Sequence, residues 1–220
     1  MIDFKKYKCA IFDLDGTLLD SVWVWQKVDE DFLGRRNIAV TEEYIREIKS
    51  HDFLAGAKYT KEKYNLPESC EEIIDEWFSA VKNFYEHEIK LKPYAREYLD
   101  MVRAAGLELV IATSSDSALY LPCMKNNGIM DYFSDITESR EAARGKKFPD
   151  VYILAAKKAG FKPSECIVYE DILSAIKAAK AGGFDVCGVY DEASSADWEL
   201  IKEISDYSIE SYENLLKNLY

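Results

Sequence analysis

The 220-residue sequence has only two histidines and five prolines, and its 28 lysines and arginines are outnumbered by 40 aspartates and glutamates. Each shortage excludes something. The formal net charge of −12 makes the broad surface repel nucleic-acid phosphates and anionic headgroups, so neither nucleic acid nor a membrane is expected as a partner. An anionic small molecule stays compatible, because a bound cation and a few basic side chains reverse the potential inside one pocket. The five cysteines, Cys9, Cys70, Cys123, Cys166 and Cys187, are odd in number, scattered and never spaced C-x-x-C. That pattern argues against a disulfide framework or a zinc site and fits a reducing cytoplasm. Cys9, Cys166 and Cys187 lie in apolar runs and read as small buried hydrophobes. The opening MIDFKKYKCAIFDLDG holds only a short apolar run ending in acids, neither a secretory signal nor a span of ~20 apolar residues. A cytoplasmic protein, a monomer or weak dimer, is expected.

What is present is enough apolar material, 48% of residues, to fill a sizeable core. From about residue 90 onward short apolar runs alternate with helical patterns, the mark of a parallel sheet wrapped by crossover helices. Strands are expected over Tyr7 to Leu14, Leu107 to Thr113, Cys166 to Glu170 and Asp185 to Tyr190, with weaker ones over Tyr132 to Thr137 and Tyr207 to Ile209. Pro93 and Gly106 bracket one helix, Pro149 and Gly160 another, and Leu173 to Ala181 forms a third. Pro122 lies inside a further helical pattern, Ser117 to Asn127, and is expected to kink it or delay its start. Residues 22–88 hold no strand pattern, three of the four tryptophans, and apolar side chains at helical spacing: Ile45, Ile48, Ile73, Ile74, Trp77, Phe78 and Val81. Ser69 with Glu72 makes a capping box there and Thr41 a plausible N-cap. The expected fold is therefore α/β, a Rossmann-like doubly wound parallel sheet over 1–21 and 89–220, interrupted by an α-helical cap domain over 22–88.

In such sheets ligands bind outside the carboxyl ends of the strands, and four of these ends carry reactive residue types. They are Asp13 and Asp15, Thr113 and Ser114, Lys146, and Glu170 with Asp171. Each has an ordinary structural reading: turn chemistry before Gly16, helix N-caps, a solvated charge beside Lys147, and a favourable helix-dipole contact. Unrelated structural causes would have to place all four at one edge of one sheet, so the combination points to a site.

The motifs D-L-D-G-T-L-L-D-S at 13–21, V-I-A-T-S-S at 110–115, K-K-F-P-D-V-Y at 146–152 and V-Y-E-D at 168–171, in this order, resemble the haloacid-dehalogenase-like superfamily. The likeness is to its phosphatase and phosphomutase branch, with a helical cap inserted after the first motif. The resemblance implies Asp13 as the nucleophile that forms an aspartyl-phosphate. It implies Asp15 as the acid that protonates the leaving oxygen and then as the base that activates water. It also implies Mg2+ held by Asp13, the Asp15 carbonyl and Asp171, with Glu170 behind them. Thr113, Ser114, Lys146 and nearby backbone N–H groups would bind the phosphoryl oxygens, with Gly16 allowing the sharp turn beside the nucleophile. Two positions depart from the family pattern: Lys147 stands where proline often follows the basic residue, and Ile172 where serine often follows the Glu-Asp pair.

Three classes are compatible with these motifs. Hydrolysis of a small phosphorylated metabolite is favoured. A mutase of the β-phosphoglucomutase type is expected to carry an arginine in a cap stretch matching IKSHDFLAGAKY at 48–59, which has none, and a histidine where Val22-Trp23-Val24-Trp25 stands. A non-catalytic binding relative would not need the acid at Asp15. The cap is expected to close over Asp13 and select the substrate; Trp23 and Trp25 read either as part of the cap's own core, the commoner role of aromatics in helical insertions, or as an apolar wall or stacking surface for the substrate. Arg46, His51 and Lys58 read as surface side chains within reach of a polar substrate.

Overall fold

The computed structural model describes residues 2–48, 51 and 53–217. The chain forms two compact units, Met1–Val22 with Ile89–Tyr220, and Trp23–Glu88. In chain order the first unit opens with β1 (Cys9–Phe12), and the second holds α1 (Trp23–Gly34), α2 (Glu42–Ile48), α3 (Phe53–Tyr64) and α4 (Cys70–His87). The first unit resumes with α5 (Ala95–Ala104), β2 (Glu108–Thr113), α6 (Ser117–Asn126), β3 (Asp135–Glu138) and α7 (Asp150–Lys158). It ends with β4 (Cys166–Glu170), α8 (Leu173–Ala181), β5 (Asp185–Val189), α9 (Trp198–Ile204), β6 (Tyr207–Ile209) and α10 (Tyr212–Lys217).

The six strands form one parallel sheet in the order β3-β2-β1-β4-β5-β6. β1 and β4 are buried along their whole length, as expected for a parallel sheet covered on both faces. Alternation along the strands divides the core. Cys9, Ile11, Val110, Ala112, Cys166 and Val168 pack on one face against Ala155 and Ala156 of α7 and Ile176 and Ala179 of α8. The other face is aromatic: Phe12 stacks on Tyr169 at 4.2 Å, and Tyr98 of α5 lies 5.7 Å from Tyr169 and 5.2 Å from Tyr212 of α10.

Two expected boundaries move for a visible reason, and a third stays in place. β1 stops at Phe12 rather than Leu14, because the Leu14 carbonyl is taken by the N–H groups of Thr17, Leu18 and Leu19 in a tight turn. The helix expected from Pro93 begins at Ala95, after Tyr94 takes a left-handed φ of 62°. Pro122 does not delay its helix, since Asp116 caps it at Ser117 by accepting from the Ala118 N–H.

In the helical unit α4 has the clearest logic. Its capping box is formed by Ser69 and Glu72, and Ile73, Trp77, Val81 and Phe84 make one buried stripe. Thr41 accepts from the Tyr44 N–H, and α2 buries Tyr44 rather than Ile45 or Ile48. Residues 49, 50 and 52 of the 48–59 stretch lie outside the described residues.

The two connections to the helical unit are hydrogen-bonded to each other. Asp20 N–H donates to the Lys90 carbonyl at 3.0 Å and Lys92 N–H to the Leu18 carbonyl at 2.8 Å. Asn127 holds the returning segment, accepting from the Leu91 N–H at 3.2 Å and donating to the Ile89 carbonyl at 3.0 Å.

Candidate active site

The chain leaves β1 for β2 on one side of it and reaches β4 on the other, so the carboxyl ends of β1 and β4 flank the switch point where such sheets hold ligands. Phe12 is in register with Tyr169 of β4, which places Asp13 beside Glu170. The Lys146 ammonium joins them: it donates to Asp13 Oδ1 and, at 2.7 Å, to Glu170 Oε1. Oxygens of Asp13, Glu170 and Asp171 all lie within 4.8 Å of one another, and all three residues are buried.

The electrostatics of this cluster follow from burial. Removal from water pushes the Asp13 carboxyl up to about 7; Lys146 pulls against that, and Glu170 and Asp15 add repulsion. Burial likewise holds Asp171 well above the usual carboxylate range, with Glu170 and Asp13 adding to it. Desolvation alone would lower the Lys146 ammonium, but the flanking Asp13 and Glu170 carboxylates outweigh it and raise its pKa. One lysine thus faces three buried acids.

Their hydrogen bonds separate the three. Glu170 Oε1 accepts from Lys146 and from the Tyr152 hydroxyl at 2.8 Å, while Oε2 accepts from the N–H groups of Asp171 and Ile172 at 3.0 and 3.3 Å. Both its oxygens are occupied by protein donors. Asp171 Oδ1 accepts from the Thr17 hydroxyl at 3.0 Å. At Gly16, with φ of 81°, an added Cβ would lie 2.4 Å from Asp171 Oδ2, so only glycine permits this approach. An oxygen-rich, under-neutralised cluster of this kind fits a hard divalent cation, and Asp13 and Asp171 are the members with capacity to hold it.

The remaining expected site residues are more dispersed. The Asp15 carboxylate lies outside the three-acid cluster and accepts from the Ser21 hydroxyl at 2.7 Å. Thr113 ends β2 and is fully buried; its hydroxyl accepts from the Ser115 N–H at 3.0 Å. Ser114 is exposed, 3.1 Å from the Ser139 hydroxyl. Since Phe12 is in register with Ile111, both share the Asp13 edge. Thr17, Ser21 and Tyr152, which also make hydrogen bonds at this edge, lie inside the sequence motifs but carry no separate signal there.

A doubly wound α/β unit with a lysine-bridged acidic cluster at its switch point defines the class of protein. The family follows: a model described as haloacid dehalogenase-like hydrolase matches residues 10–189, and the chain belongs to that family. Among similar proteins, the phosphorylated carbohydrates phosphatase of Thermotoga maritima is 24% identical over 178 residues, 81% of this chain and 82% of that one. In fold the chain resembles a hydrolase of the same family from Deinococcus radiodurans R1, solved with bound phosphate and sodium. That match has a TM-score of 0.75 at 22% identity and covers 97% of this chain and 95% of that one. It also resembles β-phosphoglucomutase from Clostridium difficile, with a TM-score of 0.70 at 17% identity over 95% and 93% of the two chains. No helix among the described residues is long and apolar enough to cross a membrane.

Proposed function

We propose that the protein is a phosphatase that hydrolyses the phosphate monoester of a small metabolite, with Asp13 as covalent nucleophile. The observation that carries this reading is the Lys146 ammonium bridging Asp13 and Glu170 beside Asp171, at the carboxyl edge of the parallel sheet. A deprotonated Asp13 oxygen attacks phosphorus and the ester P–O bond breaks. Asp15 gives its proton to the leaving oxygen, so the alcohol departs neutral and Asp13 carries the phosphoryl group. Asp15 then takes a proton from water, the hydroxide attacks phosphorus, and inorganic phosphate leaves with Asp13 regenerated. Lys146, Thr113, Ser114 and the N–H groups of Leu14 and Asp15 orient the phosphoryl oxygens. Asp13, Asp171 and the Asp15 carbonyl would hold Mg2+, which when bound neutralises charge on the transferring group.

Residues 22–88 act in this reading as a lid that selects the substrate. The phosphorylated carbohydrates phosphatase among the relatives supports a sugar phosphate as the substrate class. Trp23 and Trp25 are each 41% exposed, which suits a substrate-facing role. Every proposed catalytic group comes from one chain, so a monomer or weak dimer suffices.

Phosphate release from a panel of sugar phosphates, with p-nitrophenyl phosphate as a generic ester, tests the reading. Asp13→Asn should lower turnover by at least ~10³-fold, about 4 kcal/mol of barrier, with the thermal midpoint retained. Turnover within about tenfold of the parent, or ~1.4 kcal/mol, would refute covalent catalysis at Asp13. Isomerisation of a sugar phosphate without phosphate release would make the protein a mutase. Exhaustive chelation should abolish activity and Mg2+ restore it. Trp25→Ala should reorder the panel more than it alters turnover of the generic ester.

A further inference from the structure

The aromatic face of the sheet ends in a contact with the Asp13 loop. Tyr212, the first residue of α10, lies beyond the segment 10–189 that matches the family model. Its ring packs on Tyr98, whose hydroxyl is 2.6 Å from that of Tyr169, and Tyr169 stacks on Phe12. Phe12 and Tyr169 immediately precede Asp13 and Glu170. The rack therefore lies under the backbone that carries the site.

Packing alone would be satisfied by phenylalanine or leucine at 212. The hydroxyl does something directional: it donates to the Thr17 carbonyl at 3.1 Å, inside the turn between Asp13 and Leu19. Thr17 in turn donates from its own hydroxyl to Asp171 Oδ1 at 3.0 Å. Thr17, Asp171 and Tyr212 are all buried, so water does not compete for these bonds. The chain of contacts runs from α10 through the Thr17 main chain to the carboxylate read above as a cation ligand.

We propose that Tyr212 is a positioning residue. By fixing the Thr17 carbonyl it holds the Thr17 hydroxyl where it orients Asp171, so that α10 tunes how tightly the site grips its cation. This rests on the reading of Asp171 as a cation ligand. Partners that orient a metal ligand typically govern affinity by ~10–100-fold, and one further link removed the effect is set at about three- to tenfold.

The test is Mg2+ binding to the purified full chain, measured by calorimetry without substrate, together with the Mg2+ concentration for half-maximal hydrolysis of p-nitrophenyl phosphate. Tyr212→Phe should weaken binding about three- to tenfold and raise the half-activation concentration by the same factor, with the KM at saturating Mg2+ unchanged. Tyr212→Leu should act alike on Mg2+ while also lowering the thermal midpoint. On a Thr17→Val background the same change at 212 should have no further effect, since the link it acts through is gone. Parental Mg2+ affinity in Tyr212→Phe, or an undiminished effect on the Thr17→Val background, would overturn the proposal. Asp171→Asn separates the two readings. If it abolishes Mg2+ binding while Tyr212→Phe does not weaken it, only the positioning role fails; if it leaves binding intact, the cation reading and this proposal fall together.

Discussion

The two ends of the sheet use the same charged residue types for different purposes. At the carboxyl end the side chains of Lys146 and Glu170 are 12% and 0% exposed and 2.7 Å apart. At the amino end Lys8 and Glu165 make an ion pair of the same length with 64% and 30% exposure, and Lys6 pairs with Asp185 nearby. The exposed pairs keep most of their hydration and little depends on them. The buried cluster has given up its hydration for bonds among its own members, and one cation does not balance three acids. A fold selected for stability alone would keep such groups hydrated.

The comparison breaks most sharply at Lys146. Lys146→Met leaves Asp13 and Glu170 buried without their cation and should cost ~3–5 kcal/mol in urea unfolding at pH 8. The loss should shrink near pH 5, because Asp13, already raised to about 7 with Lys146 present, takes up a proton still more readily once that cation is gone. If Lys8→Met cost as much, the two ends would be energetically alike and the contrast would fail.

Asp29 of the helical unit sharpens the point, as a half-buried acid whose hydrogen-bond partner is a tyrosine rather than a lysine. It accepts from the Tyr44 hydroxyl at 3.0 Å, and burial raises it from 3.8 to about 6, against the pull of that bond. Between these values the folded state binds the proton more tightly than the unfolded state, so stability should fall as pH rises from 4 to 6. Asp29→Asn should flatten that slope and stabilise the protein by roughly 2–3 kcal/mol at pH 7, read from urea midpoints across pH. An unchanged slope would show that Asp29 does not carry it.

Smaller effects follow. Tyr152→Phe removes one of the donors to Glu170 and should cost about 1–2 kcal/mol of stability, with turnover lowered because Lys146 shares the same oxygen. Lys8→Ala should leave the urea midpoint unchanged within measurement error.

Much of this was readable from residues alone, and the parts that were not have physical causes. Parallel strands buried on both faces appear as apolar runs, so β1, β2, β4 and β5 were visible. β3 was faint because Asp135 and Ile136 are half-buried at the sheet edge. Strand order depends on pairings between distant segments and leaves no local trace. The acids at the carboxyl edge and Lys146 stood out because each follows an apolar run. Their mutual arrangement did not, nor did Thr17, Ser21 and Tyr152, because a lone hydroxyl gives no period. Tyr152 reads as one more apolar residue of α7, and Gly16 as a turn residue, although the close approach of Asp171 also demands it.

The paired connections at 18–20 and 90–92 bear on how the chain reaches its fold. β1 sits in the middle of the sheet, yet its neighbour β2 begins only at Glu108, so the first central pairing closes a long loop whose entropic cost grows with the logarithm of its length. Because residues 23–88 form a compact unit whose entry and exit segments are zipped together, collapse of that unit first would leave only residues 13–20 and 90–107 to be closed between the two strands. The helical unit would then serve as an assembly clamp while the sheet forms.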